Sequence, residues 1–397
     1  MRYRARSIST EPTPNVGKLF LETFGTLSRP FREILENALE GRPLEDDEAL
    51  ELFHATGPSL NALACVADRV KRRRVGNTAT FVINRNINFT NDCIVGCKFC
   101  GFFRSAKDED VYHYTLEDIQ QKTLEAKALG ATEVCIQGGL PKNFDGFFYR
   151  DILRAVKQSA PEMHIHAFSP MEVLYGSQLT GMGFKNFLQM LKDEGLGSMP
   201  GTAAEVFDES VRALISKNKL PLELWAEIVK TAHRLGIPTT STIMYGHIES
   251  PQDIVAHMRA IRDIQKETGG ITEFVPLGFI YPNTKLHAEG KVKSGPSGLL
   301  DLKVHAIARL YFQGLIDHIQ ASWVKIGPKL AQVLLLAGAD DFGGTLMEEH
   351  IAKAAGGTER EYLQPETFVA LIRELGLTPI QRGTLYEPLR VFEEAVV

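Results

Sequence analysis

The sequence has no basic excess, no long apolar run and few cysteines, and each shortage removes a class of protein. Its 44 Lys and Arg are outnumbered by 49 Asp and Glu, a formal net charge of −5. There is then no basic face to follow a phosphate backbone, and nucleic acid is not an expected partner. No apolar stretch approaches the roughly 18 residues that a membrane span needs, so no membrane is expected either. The first residues, M-R-Y-R-A-R-S, are basic but lead into T-E-P-T-P-N, which is not the apolar core of a secretory signal. Five cysteines, an odd and clustered set, make no disulfide framework. The expected setting is the cytoplasm, where thiols stay reduced. No repeat of solenoid type is present.

What is there suits an enzyme with a sizeable core. The 397 residues are 44% hydrophobic and 23% charged, and α/β barrels with extensions reach that length. Residues 1–77 place apolar side chains three and four apart, as in F-R-E-I-L-E-N-A-L-E, and predict a helical lead-in. In it, Lys71 to Arg74 form a last turn whose cations offset the helix dipole, with Gly76 just beyond. From residue 78 short β-branched runs alternate with helical patterns. Strands are predicted at 80–88, 133–139, 164–170, 195–201, 239–246, 271–278, 318–327 and 340–344, and Thr115 is a candidate N-cap. Eight alternations point to an α/β fold of the (β/α)8 type, closed or partly open, over residues 78–344; a doubly wound sheet shows the same rhythm. Residues 290–298 read as a mobile loop and 345–397 as a mainly helical C-terminal cap. Polar residues and glycines gather where the strand patterns end, which in a barrel is the face that carries the site.

Three of the five cysteines lie in eight positions of the stretch N-F-T-N-D-C-I-V-G-C-K-F-C-G-F-F-R, as Cys93, Cys97 and Cys100. Structural zinc takes four tetrahedral ligands; the next cysteine is Cys135, and His113 belongs to another segment. Thiolates are also the usual ligands of iron–sulfur clusters, and three of them leave one iron of a four-iron cluster open. Cys65 and Cys135 fall in apolar patterns and are expected to be buried structural thiols.

C-x3-C-x-F-C directly after a first strand resembles the signature of the radical S-adenosylmethionine (SAM) superfamily. Longer stretches between about residues 84 and 350, including H-A-F-S-P-M-E, G-S-M-P-G-T-A-A-E and G-G-T-L-M-E-E, resemble the FO synthase subunit 2 family. Dehypoxanthine futalosine cyclases are related but typically read G-G-G-A-E where this chain reads G-T-A-A-E. The resemblance implies a TIM-like radical SAM barrel with a 4Fe–4S cluster on Cys93, Cys97 and Cys100, and SAM on the open iron. It implies L-tyrosine and 5-amino-6-(D-ribitylamino)uracil as substrates, joined through a 4-hydroxybenzyl radical in deazaflavin biosynthesis. A menaquinone-pathway enzyme is the alternative, and a non-catalytic iron–sulfur electron carrier a remote one. A reductant such as flavodoxin or ferredoxin, and the other FO synthase subunit, are the implied protein partners.

The same resemblance places Phe99 near the adenine of SAM and Gln137, Gly138 and Gly139 near its amine, where the alternative is a tight turn. Ser169 and Glu205 are candidate SAM contacts, Glu205 alternatively a helix cap. His166, Glu172, Tyr245, His247 and Glu273 lie on or beyond strands and are candidates for proton transfer or satisfied core residues. Asn88, Asn91 and Arg85 flank the cysteine loop as braces, and Asn283 and Thr284 are candidates for ribityl hydroxyls. Gly278 stands where relatives commonly carry proline, which bears on the pocket wall.

Overall fold

A computed structural model describes residues 24–359 and 361–393; the basic start M-R-Y-R-A-R-S and the rest of residues 1–23 lie outside the described residues. The first expected strand is two, β1 (Thr78–Val82) and β2 (Asn84–Ile87), separated at Ile83. It is followed by β3 (Glu133–Ile136), β4 (His164–Ala167), β5 (Thr239–Tyr245), β6 (Ile271–Gly278), β7 (His318–Ile319) and β8 (Asp341–Gly344). Parallel ladders run β2-β3-β4 and β5-β6-β7, and β1 pairs β8. Isolated parallel bridges join the gaps: His166 to Ser198, Met199 to Thr239, and Gln320 to Asp341. Neighbours therefore follow chain order and the eighth station meets the first. That is the order of a (β/α)8 barrel with interrupted ladders, not the reversed order of a doubly wound sheet. The fourth station, G-L-G-S-M-P-G, makes only bridges, because Pro200 has no N–H to give and glycine weakens a strand.

Helices fill the intervals. Leu116–Ala128 begins with a capping box in which Thr115 Oγ1 accepts from Asp118 N at 3.1 Å and Thr115 N donates to Asp118 Oδ2 at 2.8 Å. The lead-in supplies Arg29–Leu39, Asp46–Phe53 and Pro58–Val75, the last packed on Gly298–Tyr311. Arg72 to Arg74 do occupy its final turn, and Gly76 follows at φ +78°. Lys71 departs from the expected set of last-turn cations: it is fully buried and its Nζ donates to the Leu335 carbonyl at 2.6 Å. Cys65 also departs from expectation, since it lies on that helix's exposed face.

Two later segments differ from the sequence reading. Residues 290–298 are irregular and mostly exposed, as expected for a loop, but they are anchored where Val292 is buried and where Pro296 packs on Gly246, at which a Cβ would come within 2.6 Å of it. Gly278 permits this approach, because a Cβ there would stand 3.3 Å from both Pro296 and Ile326. The mainly helical cap contains His350–Ala354 and Pro365–Glu374, and then two strands, β9 (Thr378–Arg382) and β10 (Pro388–Val391). β9 runs parallel to β1 in the register Thr78 to Thr378, and β10 returns antiparallel to β9. The turn between them passes beneath the barrel at the strands' N-terminal ends. Among the described residues no helix is long and apolar enough to cross a membrane.

Candidate active site

Period-two alternation decides what the barrel lumen contains. Asn84 and Asn86 of β2 and Asn88 just past its end line one cavity of about 400 Å³, as do Glu133 and Cys135 of β3 with Gln137 just past it, and Thr240, Thr242 and Met244 of β5. Cys93, Cys97 and Cys100 open into the same cavity from the loop after β2. That loop is tied down on every side. Cys93 N donates to Arg104 O at 3.0 Å, Ile94 N to Leu140 O at 2.9 Å, and Lys98 N to Ile215 O at 2.8 Å. Asn91 braces it as expected, giving Nδ2 to Asp110 O and accepting Tyr112 N, both at 2.9 Å. Asn88 takes part through its carbonyl, which accepts from Tyr112 Oη at 2.8 Å. Arg85 does not: its guanidinium turns outward to Glu125 and Glu348.

The three thiols fit a cluster in chemistry and setting. They form a sulfur-only donor set against Val95 and Leu140, which suits iron–sulfur better than hard cations. Burial pushes the Cys97 thiol up to about 12, and burial raises Cys100 as well; both must lose their protons when metal binds. Among the described residues no group of three His, Cys, Asp or Glu is spaced to hold a single metal ion. A polynuclear cluster needs no such convergence, since each thiolate holds its own iron. Gly139 faces the loop, where a Cβ would overlap the Asp92 carbonyl and stand 3.1 Å from Cys93 Cβ. Gly139→Ala is therefore expected to displace the cysteines, at an overpacking cost of about 1–3 kcal/mol. Iron and sulfide bound per chain after anaerobic reconstitution should fall several-fold.

The residues expected around SAM converge at the mouth. Phe99, Gln137, Gly138, Gly139, Ser169 and Glu205 all line the cavity. Glu172 lines it too, but its carboxylate is occupied as a brace. It accepts from Ser169 N and Ser169 Oγ at 2.7 Å each, closing a capping box, and from Gly138 N at 3.0 Å. Burial nevertheless lifts it to about 7, with those three donors opposing. An acid raised in the folded state binds a proton on folding, so its contribution to stability falls as pH rises from about 4.5 to about 7. Glu172→Gln should remove that slope, at most ~1.4 kcal/mol per pH unit for one proton; urea midpoints of both proteins between pH 5 and 8 check it.

Lys219 was not legible in the sequence, where it is one lysine of the run S-K-N-K-L-P. It pairs with Glu205, and its Nζ sits 5.1 Å from the Phe99 ring centroid. Burial opposes its charge, but Glu205 and Cys97 hold it above the usual lysine range. Backbone strain gathers at the same rim, where Ala203, Glu205 and Leu346 are held at φ +65°, +52° and +64°. Such conformations cost of order 1–3 kcal/mol each and persist where surrounding structure imposes them.

At the lumen floor lie His166 and Glu273. His166 Nδ1 meets Ser198 Oγ at 2.7 Å, and burial lowers it to about 4, with Glu133 pulling the other way. Burial lifts Glu273 to about 7 against the attraction of Arg382. The floor itself is closed by the β9–β10 turn. Tyr386 Oη donates to Glu273 Oε2 at 2.6 Å and its ring stacks on His318, centroids 3.5 Å apart. Arg382 forks onto Asp341 at 2.6 and 3.0 Å, both groups buried.

Four expected site residues lie elsewhere. Tyr245 follows Met244 and so points out of the lumen, donating to Asp301 Oδ1 at 2.6 Å. His247 folds back so that Nε2 faces the Met244 carbonyl at 3.1 Å and Nδ1 accepts from Ile248 N at 2.8 Å. Asn283 is exposed and donates to Ala354 O at 3.2 Å. Thr284 caps the short helix Lys285–Ala288. None of the four lines the cavity. Cys135 does, so this thiol faces the lumen and not a packed strand core.

Comparison with known proteins comes out in the same direction. Residues 87–261 match the radical SAM superfamily and residues 268–395 the CofH/MqnC C-terminal region. The chain is 52% identical to the 5-amino-6-(D-ribitylamino)uracil–L-tyrosine 4-hydroxyphenyl transferase of Methanopyrus kandleri, over 82% of this chain and 88% of that one. Its counterpart in Methanothermobacter thermautotrophicus is 49% identical over 90% and 97%. The FO synthase of Mycobacterium tuberculosis is 47% identical over 86% of this chain but 40% of its own length. Among solved structures, methylornithine synthase aligns with a TM-score of 0.69 at 18% identity, over 88% of this chain and 97% of that one. The hydrogenase maturase HydG aligns with a TM-score of 0.72 at 15% identity, over 93% and 80%. Those two likenesses are of fold.

Proposed function

The chain belongs to the 5-amino-6-(D-ribitylamino)uracil–L-tyrosine 4-hydroxyphenyl transferase family of the radical SAM superfamily, and on that premise we propose how its site performs the transfer. The tyrosine Cα–Cβ bond is cleaved, the 4-hydroxybenzyl group is joined to the uracil ring, and the amino-acid remnant leaves as an imine. The observation that carries this is one cavity that has the three thiols at its mouth and a polar floor below. A 4Fe–4S cluster and SAM are the superfamily's cofactors. Cys93, Cys97 and Cys100 would hold the cluster, and when bound the pair supplies one-electron cleavage and hydrogen-atom abstraction.

The chain's own residues supply the rest. Glu172 fixes Gly138 N and thereby the turn beside the cysteines. Glu205 and Lys219 offer a buried pair for the polar ends of a bound cofactor, under the Phe99 ring. Met244, Leu277 and Phe279 make an apolar wall that excludes water. His166, lowered to about 4 by burial, is neutral at pH 7 and resists protonation, so it serves as a hydrogen-bonding group on the lumen wall. Glu273, lifted to about 7 by burial, is able to hold or release a proton. Working in a reducing cytoplasm, the protein would take electrons from a reductant such as flavodoxin or ferredoxin and would act beside the other FO synthase subunit.

The test is anaerobic incubation of reconstituted protein with SAM, dithionite, tyrosine and the uracil, followed by mass analysis. A tyrosine–uracil adduct formed with 5′-deoxyadenosine is the expected result. Deoxyadenosine with no tyrosine-derived adduct would overturn the substrate assignment.

A further inference from the structure

β2 and the residue just past its end place three asparagines on the lumen wall at alternate positions, and they are not equivalent. Asn84, at the floor, is fully engaged: its Nδ2 donates to Glu133 Oε1 and its Oδ1 accepts from Leu346 N, both at 2.9 Å. Asn86 and Asn88 each have a buried side-chain oxygen with no hydrogen-bond partner in the protein. Both line the cavity. Asn88 is only 4% exposed, and its other amide end is already held, donating to Gln137 O at 3.3 Å. A buried acceptor left unpaired costs roughly 1–3 kcal/mol. Two of them on one lumen stripe, beside a third that is satisfied, are acceptors for which the protein provides no donor; neither oxygen is itself on the cavity surface, so a ligand donor meets it through a turn of the amide.

We propose that Asn86 and Asn88 form the recognition stripe for the ring N–H, amino and ribityl hydroxyl donors of the aminouracil. They would thereby determine specificity for the acceptor substrate and not for tyrosine. The inference rests on the transferase reading above. Neutral amide oxygens suit neutral donors, whereas a buried ammonium calls for a carboxylate. Positions two apart on a strand are separated by roughly 6.6 Å, so the ligand must carry donors along its length. A pyrimidine with amino and polyol substituents does; the aromatic body of tyrosine does not, and its ammonium is better placed against a carboxylate.

The experiment measures binding of each substrate, by calorimetry, to anaerobically reconstituted protein with SAM and without a reductant, so that no turnover intervenes. Asn86→Leu removes the acceptor at similar size; Asn86→Ala removes it without added bulk and guards against a misfolded leucine variant. Each is expected to weaken the uracil roughly tenfold, the scale of one hydrogen bond together with its stranded partner. Tyrosine affinity should stay within about twofold. Unchanged uracil affinity in both variants, or equal weakening of both substrates, overturns the stripe. If the unsubstituted protein binds tyrosine but not the uracil, the transferase reading itself fails and the stripe with it.

Discussion

Alanine at Cys93, Cys97 or Cys100 is expected to abolish transfer, lowering turnover by at least ~10³-fold, as the loss of any member of a set acting as one unit does. Each thiolate would hold one iron of the cluster, and the loop has no further cysteine to substitute. The cavity does contain a fourth thiol, Cys135, but it projects from β3 and not from the braced loop. Cys135→Ala and Cys65→Ser are therefore the informative controls. Both should retain full iron and sulfide per chain, and Cys65→Ser full transfer as well, because Cys65 sits on an exposed helix face. Iron analysis separates this from a general folding defect, since each loop variant should lose iron while keeping the parent's far-ultraviolet circular dichroism.

Arg382→Met should give the largest loss of stability, about 3–5 kcal/mol, the range for breaking a buried ion pair from one side. Arg382 is 3% exposed and Asp341 not at all, with Glu273 3.8 Å from the guanidinium. Methionine would leave Asp341 buried without its fork and Glu273 without the cation that opposes its raised pKa. The double variant Arg382→Met/Asp341→Leu should recover part of the loss, because replacing both ends of such a pair by apolar groups is often nearly neutral. Urea unfolding of the parent, the single and the double variant measures this. A single-variant loss under ~1 kcal/mol would show that the pair does not hold the floor.

These two expectations mark what the sequence discloses and what it conceals. The cysteine loop was legible because its ligands are adjacent in the chain and their residue type is uncommon. Strand positions were legible because β-branched runs are short and bounded; even the weak fourth station lies where G-L-G-S-M-P-G was read. Side-chain direction was the harder matter. Every residue of β5 is buried, so hydrophobicity does not tell lumen from helix face, and Tyr245 faces the helices and not the lumen expected for it. Parity would have corrected it: with Thr240, Thr242 and Met244 inside, Tyr245 is outside. The same rule applied to V-I-N-R-N-I-N would have picked out Asn84, Asn86 and Asn88 as lumen residues. Lys219 and Arg382 had no local signal, since what brings them to the cavity is a long loop and a strand added to β1 from the far end of the chain.

That added strand sets a schedule for the protein's synthesis. The cysteine loop leaves the ribosome long before Arg382 and Tyr386 are made, an interval of roughly a quarter of a minute to a minute at ~5–20 residues per second. Until those residues arrive, the nascent barrel has its thiols in place over an open lower end, with Asp341 and Glu273 facing water. A chain stopped between β8 and β9 would keep the cysteine loop and its contacts to Leu140 and Ile215 but lack the turn that closes the lumen floor, and so would carry its iron ligands over a chamber open below.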